Sequence, residues 1–136
     1  MDKPISSAPI SHIMKKSVWT VDTEDSIEQV EELLGAHHLS CVPVVDSQGV
    51  LFGIISASDL VLFHAARKSA KAARAWEICT YKPIVVDPAT QIGEVASLMV
   101  KNRIHHVVVS ENKRMAGIVS SLDFVEQYML KGAPDP

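Results

Sequence analysis

Two short tetrads hold the residues best suited to chemistry, Ser56-Ala57-Ser58-Asp59 and Ser120-Ser121-Leu122-Asp123. Each follows a Gly-Ile-Ile or Gly-Ile-Val run, so each sits where a strand passes into a helix. A serine there accepts a bond from the first free helical N–H groups, and an acid three residues on returns one. Spacing alone favours this capping role, which needs no ligand.

The histidine pairs His37-His38 and His105-His106, with Cys41, raise the question of a metal. Neighbours on a strand point to opposite faces, so His105 and His106 cannot both face one ion. His37 and His38 close a helix, where imidazole suits the negative end. No metal site is expected. Cys41 and Cys79 make no disulfide framework, and reduced cytoplasmic thiols are the simpler reading. No His–Asp orienting pair accompanies either thiol, so no catalytic residue and no enzyme is expected. Arg67, Lys71 and Arg74 have helical spacing and read as a solvated helix face.

The elements that must position these groups come in two copies. At an offset of 65 residues, Val18-Trp19-Thr20-Val21-Asp22 falls on Pro83-Ile84-Val85-Val86-Asp87, and Leu39-Ser40-Cys41-Val42 on Ile104-His105-His106-Val107. One residue is lost in a loop, and Gly53-Ile54-Ile55-Ser56 then falls on Gly117-Ile118-Val119-Ser120, with Asp59 on Asp123. Each copy reads as a short strand, a helix, two apolar strands and a second helix. The first strands are Val18 to Val21 and Ile84 to Val86. The helices carry Ile27, Val30, Leu33 and Leu34 on one face, and Ile92, Val95, Leu98 and Met99 on the other copy's. Asp25 with Glu28 resembles a capping box for the first helix. Leu60 to Trp76 is Ala-rich without Gly or Pro and predicts a long helix.

The predicted organisation is an N-terminal arm over 1–9, a first repeat over 10–66, a linker helix over 67–77, a second repeat over 78–130 and a fraying tail over 131–136. The 136 residues, 47% hydrophobic and 21% charged, suffice for a core without disulfides. The net charge of −3 gives no reason to expect nucleic acid or membrane partners. No apolar run approaches the roughly 18 residues of a membrane span, and no signal peptide is evident. A soluble, cytoplasmic protein is expected.

At this point the sequence resembles the CBS-domain family. The resemblance is carried by Leu39-Ser40-Cys41-Val42-Pro43-Val44-Val45-Asp46, by Gly53-Ile54-Ile55-Ser56-Ala57-Ser58-Asp59, by Ile104-His105-His106-Val107 with Gly117-Ile118-Val119-Ser120-Ser121-Leu122-Asp123, and by the Ile13-Met14 lead-in echoed at Ile78-Cys79. It spans roughly residues 10 to 130. The resemblance implies an α+β fold of two tandem β-α-β-β-α repeats packed with pseudo-twofold symmetry, and pairing of such modules as a homodimer. It implies two clefts between repeats that take AMP, ADP, ATP or S-adenosylmethionine as a regulatory ligand, with no cofactor required.

Carried over by position, one cleft combines Asp123, Ser120 and His105 with Leu39, Ser40 and Cys41. The other combines Asp59, Ser58, Ser56 and Ser40 with Ile104 and His105. A carboxylate accepts two ribose hydroxyls, and a strand-to-helix turn favours phosphate. With the resemblance, ligand contact moves ahead of simple capping for at least one aspartate, and the two roles are compatible. His105 falls at a basic phosphate position where the first copy has Ser40, so the Asp123 cleft is the expected phosphate site, with AMP or ADP favoured. The second copy departs in Val108 for Pro43 and Ser110 for Val45. The function implied is a ligand-sensing regulatory module acting on an effector protein in trans. The alternatives are a ligand-free dimerisation or docking module, an S-adenosylmethionine binder and, last, a metal-dependent hydrolase.

Overall fold

A computed structural model describes residues 5–131. The tail expected to fray lies outside them from Gly132 onward, as does the arm up to Pro4. The chain forms two compact units of mixed α+β structure. One is continuous, Trp19–Pro83. The other joins the segment up to Val18 with the chain from Ile84 onward.

In the continuous unit the order is β1 (Val21–Asp22), α1 (Ile27–His37), β2 (Cys41–Val45), β3 (Leu51–Ser56), α2 (Ala57–Ala65), α3 (Ala75–Ile78) and β4 (Thr80–Tyr81). Its sheet has the order β1-β2-β3-β4, with β1 parallel to β2 and the other pairs antiparallel. Val42 and Val44 of β2, Ile55 of β3, Val30 and Leu34 of α1 and Ala75 of α3 form its core.

The other unit repeats the plan with β5 (Val85–Val86), α4 (Ile92–Asn102), β6 (His106–Glu111), β7 (Arg114–Ser120) and α5 (Ser121–Val125), which runs on as a π-helical turn over Glu126–Lys131. Its sheet has the order β5-β6-β7. Val107, Val109 and Val119 pack with Ile92, Val95 and Met99, and with Ile10 and Ile13 from the N-terminal segment. Three consecutive buried valines in β6 explain the unbroken apolar run: both faces of this strand are covered.

Equivalent hydrogen bonds seat the segment before each repeat's partner. Ile10 N–H donates to Thr90 O and Ile92 N–H to Ala8 O; Ala75 N–H donates to Asp25 O and Ile27 N–H to Ala73 O. Lys15 then bridges to Ile118 as Thr80 bridges to Ile54, at equivalent positions of the two copies. The chain just after the lead-in Ile13-Met14 therefore bridges to the sheet of the second repeat, and the chain just after Ile78-Cys79 adds β4 to that of the first.

Three sequence expectations are corrected. The helix predicted over Leu60–Trp76 stops at Ala65, and Arg67 takes a left-handed φ of 57°. Ala70 and Ala73 instead offer their carbonyls to Glu28 and Ile27, supplying partners for the orphan donors of α1. Alanine's propensity, worth a few tenths of a kcal/mol per residue, yields to those bonds. Arg67, Lys71 and Arg74 thus share no helical face, and in place of a linker helix over 67–77 only α3 from Ala75 is helical. The α1 cap is Ser26 with Gln29: Ser26 Oγ accepts Gln29 N–H at 3.1 Å, and Gln29 Oε1 accepts Ser26 N–H at 2.8 Å. Asp25 turns back to accept Asp22 N–H at 2.9 Å. Finally, β1 begins only at Val21, not Val18. Val108 N–H donates to Ile84 O in the other copy, and Pro43 has no N–H with which to hold Trp19 likewise.

Candidate functional site

Asp123 is the most deeply placed acid of the candidate set, only 7% exposed at the first turn of α5. Its two oxygens do different work. Oδ2 accepts Ser120 N–H at 2.8 Å and Ser120 Oγ–H at 3.2 Å, while Ser120 Oγ accepts Asp123 N–H at 3.4 Å. Oδ1 faces the ammonium of Lys15 at 3.4 Å. The capping box therefore occupies one carboxylate oxygen and leaves the other outside the cap.

Asp123 and Lys15 both line a hollow of about 220 Å³, with His12, Ile13, Met14, Glu126 and Gln127. Pockets that bury a whole drug-sized ligand run to roughly 300–1,000 Å³, so this hollow suits part of a ligand, such as a sugar with its substituent. Lys15 also lies 3.9 Å from Glu126 Oε2. Lys15 was missed from sequence. Its register with Thr80 was legible; that its strand crosses to the second repeat was not.

His105 stands exposed beside this turn. Its carbonyl accepts Ser121 N–H at 2.9 Å, and its Nδ1 lies 3.2 Å from Ser121 Oγ. Ile104 is half-buried against its own core. His106, opposite Ser120 in the ladder, is half-buried. Burial first, then the neighbouring His105, hold its pKa below the usual 6.5, with Asp123 pulling the other way. A depressed histidine pKa means the folded chain binds that proton less readily than the unfolded chain. The corresponding stability is present above pH 6.5 and is lost as pH falls through the folded pKa. The urea midpoint is expected to drop between pH 7.5 and pH 5.5, and less so in His106→Gln. An identical drop in that variant would clear His106 as the source.

The first copy repeats the arrangement with different neighbours. Asp59 Oδ2 accepts Ser56 N–H at 2.8 Å and Ser56 Oγ–H at 3.1 Å. Ser58 Oγ is 2.8 Å from Ser56 Oγ. Ser40 is exposed, and its carbonyl accepts Ala57 N–H at 2.9 Å, the counterpart of the His105–Ser121 bond. Leu39 packs half-buried on its own core. Cys41 pairs with Ser56 across the ladder. Burial, then the charge of Asp59, push its pKa up to about 12, so it stays a neutral thiol. Burial raises Cys79 as well, opposed by a backbone hydrogen bond and helped least by the charge of Asp59. Among the described residues, Asp59 makes no ion pair.

No helix among the described residues is long and apolar enough to cross a membrane, and none of their His, Cys, Asp and Glu side chains cluster in threes to hold a metal.

Comparison with known proteins places this arrangement among relatives. The sequence profile of the CBS domain matches residues 10–65 and 75–129. The uncharacterized protein YlbB of Bacillus subtilis is 29% identical, over 77% of this chain and 75% of its own length. The CBS domain pair of protein MJ0100, solved in complex with 5′-methylthioadenosine and S-adenosyl-L-methionine, is 29% identical, with a TM-score of 0.83 over 92% of this chain and 97% of that one. CBSX2, solved in complex with AMP, shares the fold at 20% identity, with a TM-score of 0.75 over 88% of this chain and 94% of that one.

Proposed function

Because the chain belongs to the CBS domain family, we propose that it is a regulatory module that binds an adenosine-containing ligand through the carboxylates at its strand-to-helix turns. The carrying observation is the division of labour at Asp123: Oδ2 closes the helix cap, Oδ1 meets Lys15, and both residues line the hollow. A cap alone needs only the first. An ionised oxygen at the edge of a hollow is a strong acceptor for sugar hydroxyls.

In this reading the turn of Ser120 and Asp123 anchors one ligand position, and the turn of Ser56, Ser58 and Asp59 anchors the other. The binding of two adenosine derivatives by the MJ0100 pair supports the ligand class. The ammonium of Lys15 and the imidazoles of His12 and His105, which can donate to a phosphate, support AMP or ADP there over a sulfonium ligand. Ligand binding then shifts the arrangement of the module by no more than its differential affinity for the two states. The exposed apolar Val61 and Leu62 of α2, and Leu122 and Val125 of α5, support association of two copies. Two free thiols suit a reducing compartment such as the cytoplasm.

A thermal-shift panel of AMP, ADP, ATP, S-adenosylmethionine and NADH tests the reading. AMP and ADP are expected to stabilise the protein, by about 2.7 kcal/mol at a hundred times Kd. A flat panel at millimolar ligand overturns it in favour of a ligand-free docking module.

A further inference from the structure

We infer that Lys15 is a specificity-determining residue of the Asp123 position, favouring adenosine ligands that carry an anionic group over the bare nucleoside. The inference rests on the reading of Asp123 as a ligand carboxylate.

The backbone of Lys15 is fixed while its head is exposed and ion-paired. Lys15 N–H donates to Ile118 O at 2.9 Å, and Ile118 N–H donates to Lys15 O at 3.1 Å. The side chain beyond that anchor is 60% exposed, on a flexible four-carbon stem. Its ammonium meets the one Asp123 oxygen that the cap leaves outside. A sugar hydroxyl donating to Oδ1 must compete with that ammonium.

What the ligand carries then decides the outcome. A bare nucleoside gains the carboxylate but separates Lys15 from Asp123, leaving it only the longer pair with Glu126. A nucleotide offers a new anion to the displaced ammonium, so the ion pair is exchanged and not lost. A sulfonium ligand brings a like charge to the same place.

The other copy supplies the contrast. Thr80 holds the backbone place of Lys15, pairing with Ile54 as Lys15 pairs with Ile118. A threonine brings no charge to Asp59. The two positions therefore differ in the preference for an anion that a lysine confers, although their capping boxes match. Sequence reasoning assigned the phosphate preference to His105 alone.

The test is calorimetric titration of the whole chain with AMP, adenosine and S-adenosylmethionine, in an Asp59→Asn background that isolates the Asp123 position. The protein carrying Lys15 is expected to prefer AMP to adenosine, and added salt should shrink that preference. Lys15→Thr should reduce the AMP-to-adenosine preference about tenfold, largely through AMP, and Lys15→Arg should retain most of it. An unchanged preference in Lys15→Thr overturns this inference and leaves the ligand reading standing. Failure of both AMP and adenosine to bind, with and without the Asp59→Asn change, overturns the ligand reading and this inference with it.

Discussion

Asp123→Asn is expected to weaken AMP binding by about thirtyfold while the fold survives. Asparagine has the shape of aspartate and keeps a carbonyl oxygen for Ser120 N–H, so the cap is largely preserved. What it loses is charge, and one of its two acceptors becomes a donor. Hydrogen bonds to a charged group are worth roughly 1.5–3 kcal/mol against about 1 kcal/mol for neutral ones, and two ribose hydroxyls share the difference. Asp59→Asn should weaken AMP less, because its surroundings lack Lys15. Calorimetry gives the affinity, and urea denaturation confirms that stability stays within about 1 kcal/mol. Unchanged AMP affinity in Asp123→Asn would leave the carboxylate as a cap and nothing more.

Gly117→Ala is expected to destabilise the chain by about 3 kcal/mol. A Cβ on Gly117 would stand 2.6 Å from Lys15 O and 2.9 Å from Met14 Sδ. The sulfur can move, but the carbonyl is held by Ile118 N–H. Relief requires the lead-in strand to leave the sheet, which also unseats Lys15 and the buried Ile13. Gly53→Ala should behave alike, with Thr80 O at 2.5 Å and Cys79 Sγ at 2.8 Å. Gly35→Ala is the control: it lies in α1 with open space around it, and should stabilise by roughly 0.5–1 kcal/mol. Urea midpoints for the three variants decide the matter. A Gly117→Ala protein as stable as its parent would show that the lead-in does not seat against β7.

Much of this was readable from sequence. Both glycines stand at the same place in the repeated Gly-Ile-Ile/Val-Ser motif, and register alone pairs them. The alternation of elements, the apolar strands and the Ser-x-x-Asp turns follow from hydropathy and turn chemistry, which act over a few residues. The extent of β1 did not emerge, because a proline's missing donor matters only once β2 lies beside it; the cap of α1 did not emerge because Ser26 with Gln29 and Asp25 with Glu28 offer the same local spacing.

The sequence by itself determined that there are two copies of one unit and where each copy places its serine, its aspartate and its buried valines. Only the tertiary structure decided that the chain after each lead-in crosses to the other copy's sheet, that the Ala-rich connection gives up its helix, and that Lys15 meets Asp123. The reason is common to all three. Local periodicity reports which face of an element is apolar, but a backbone donor or a charged head takes whichever partner the folded chain brings to it, however distant in sequence.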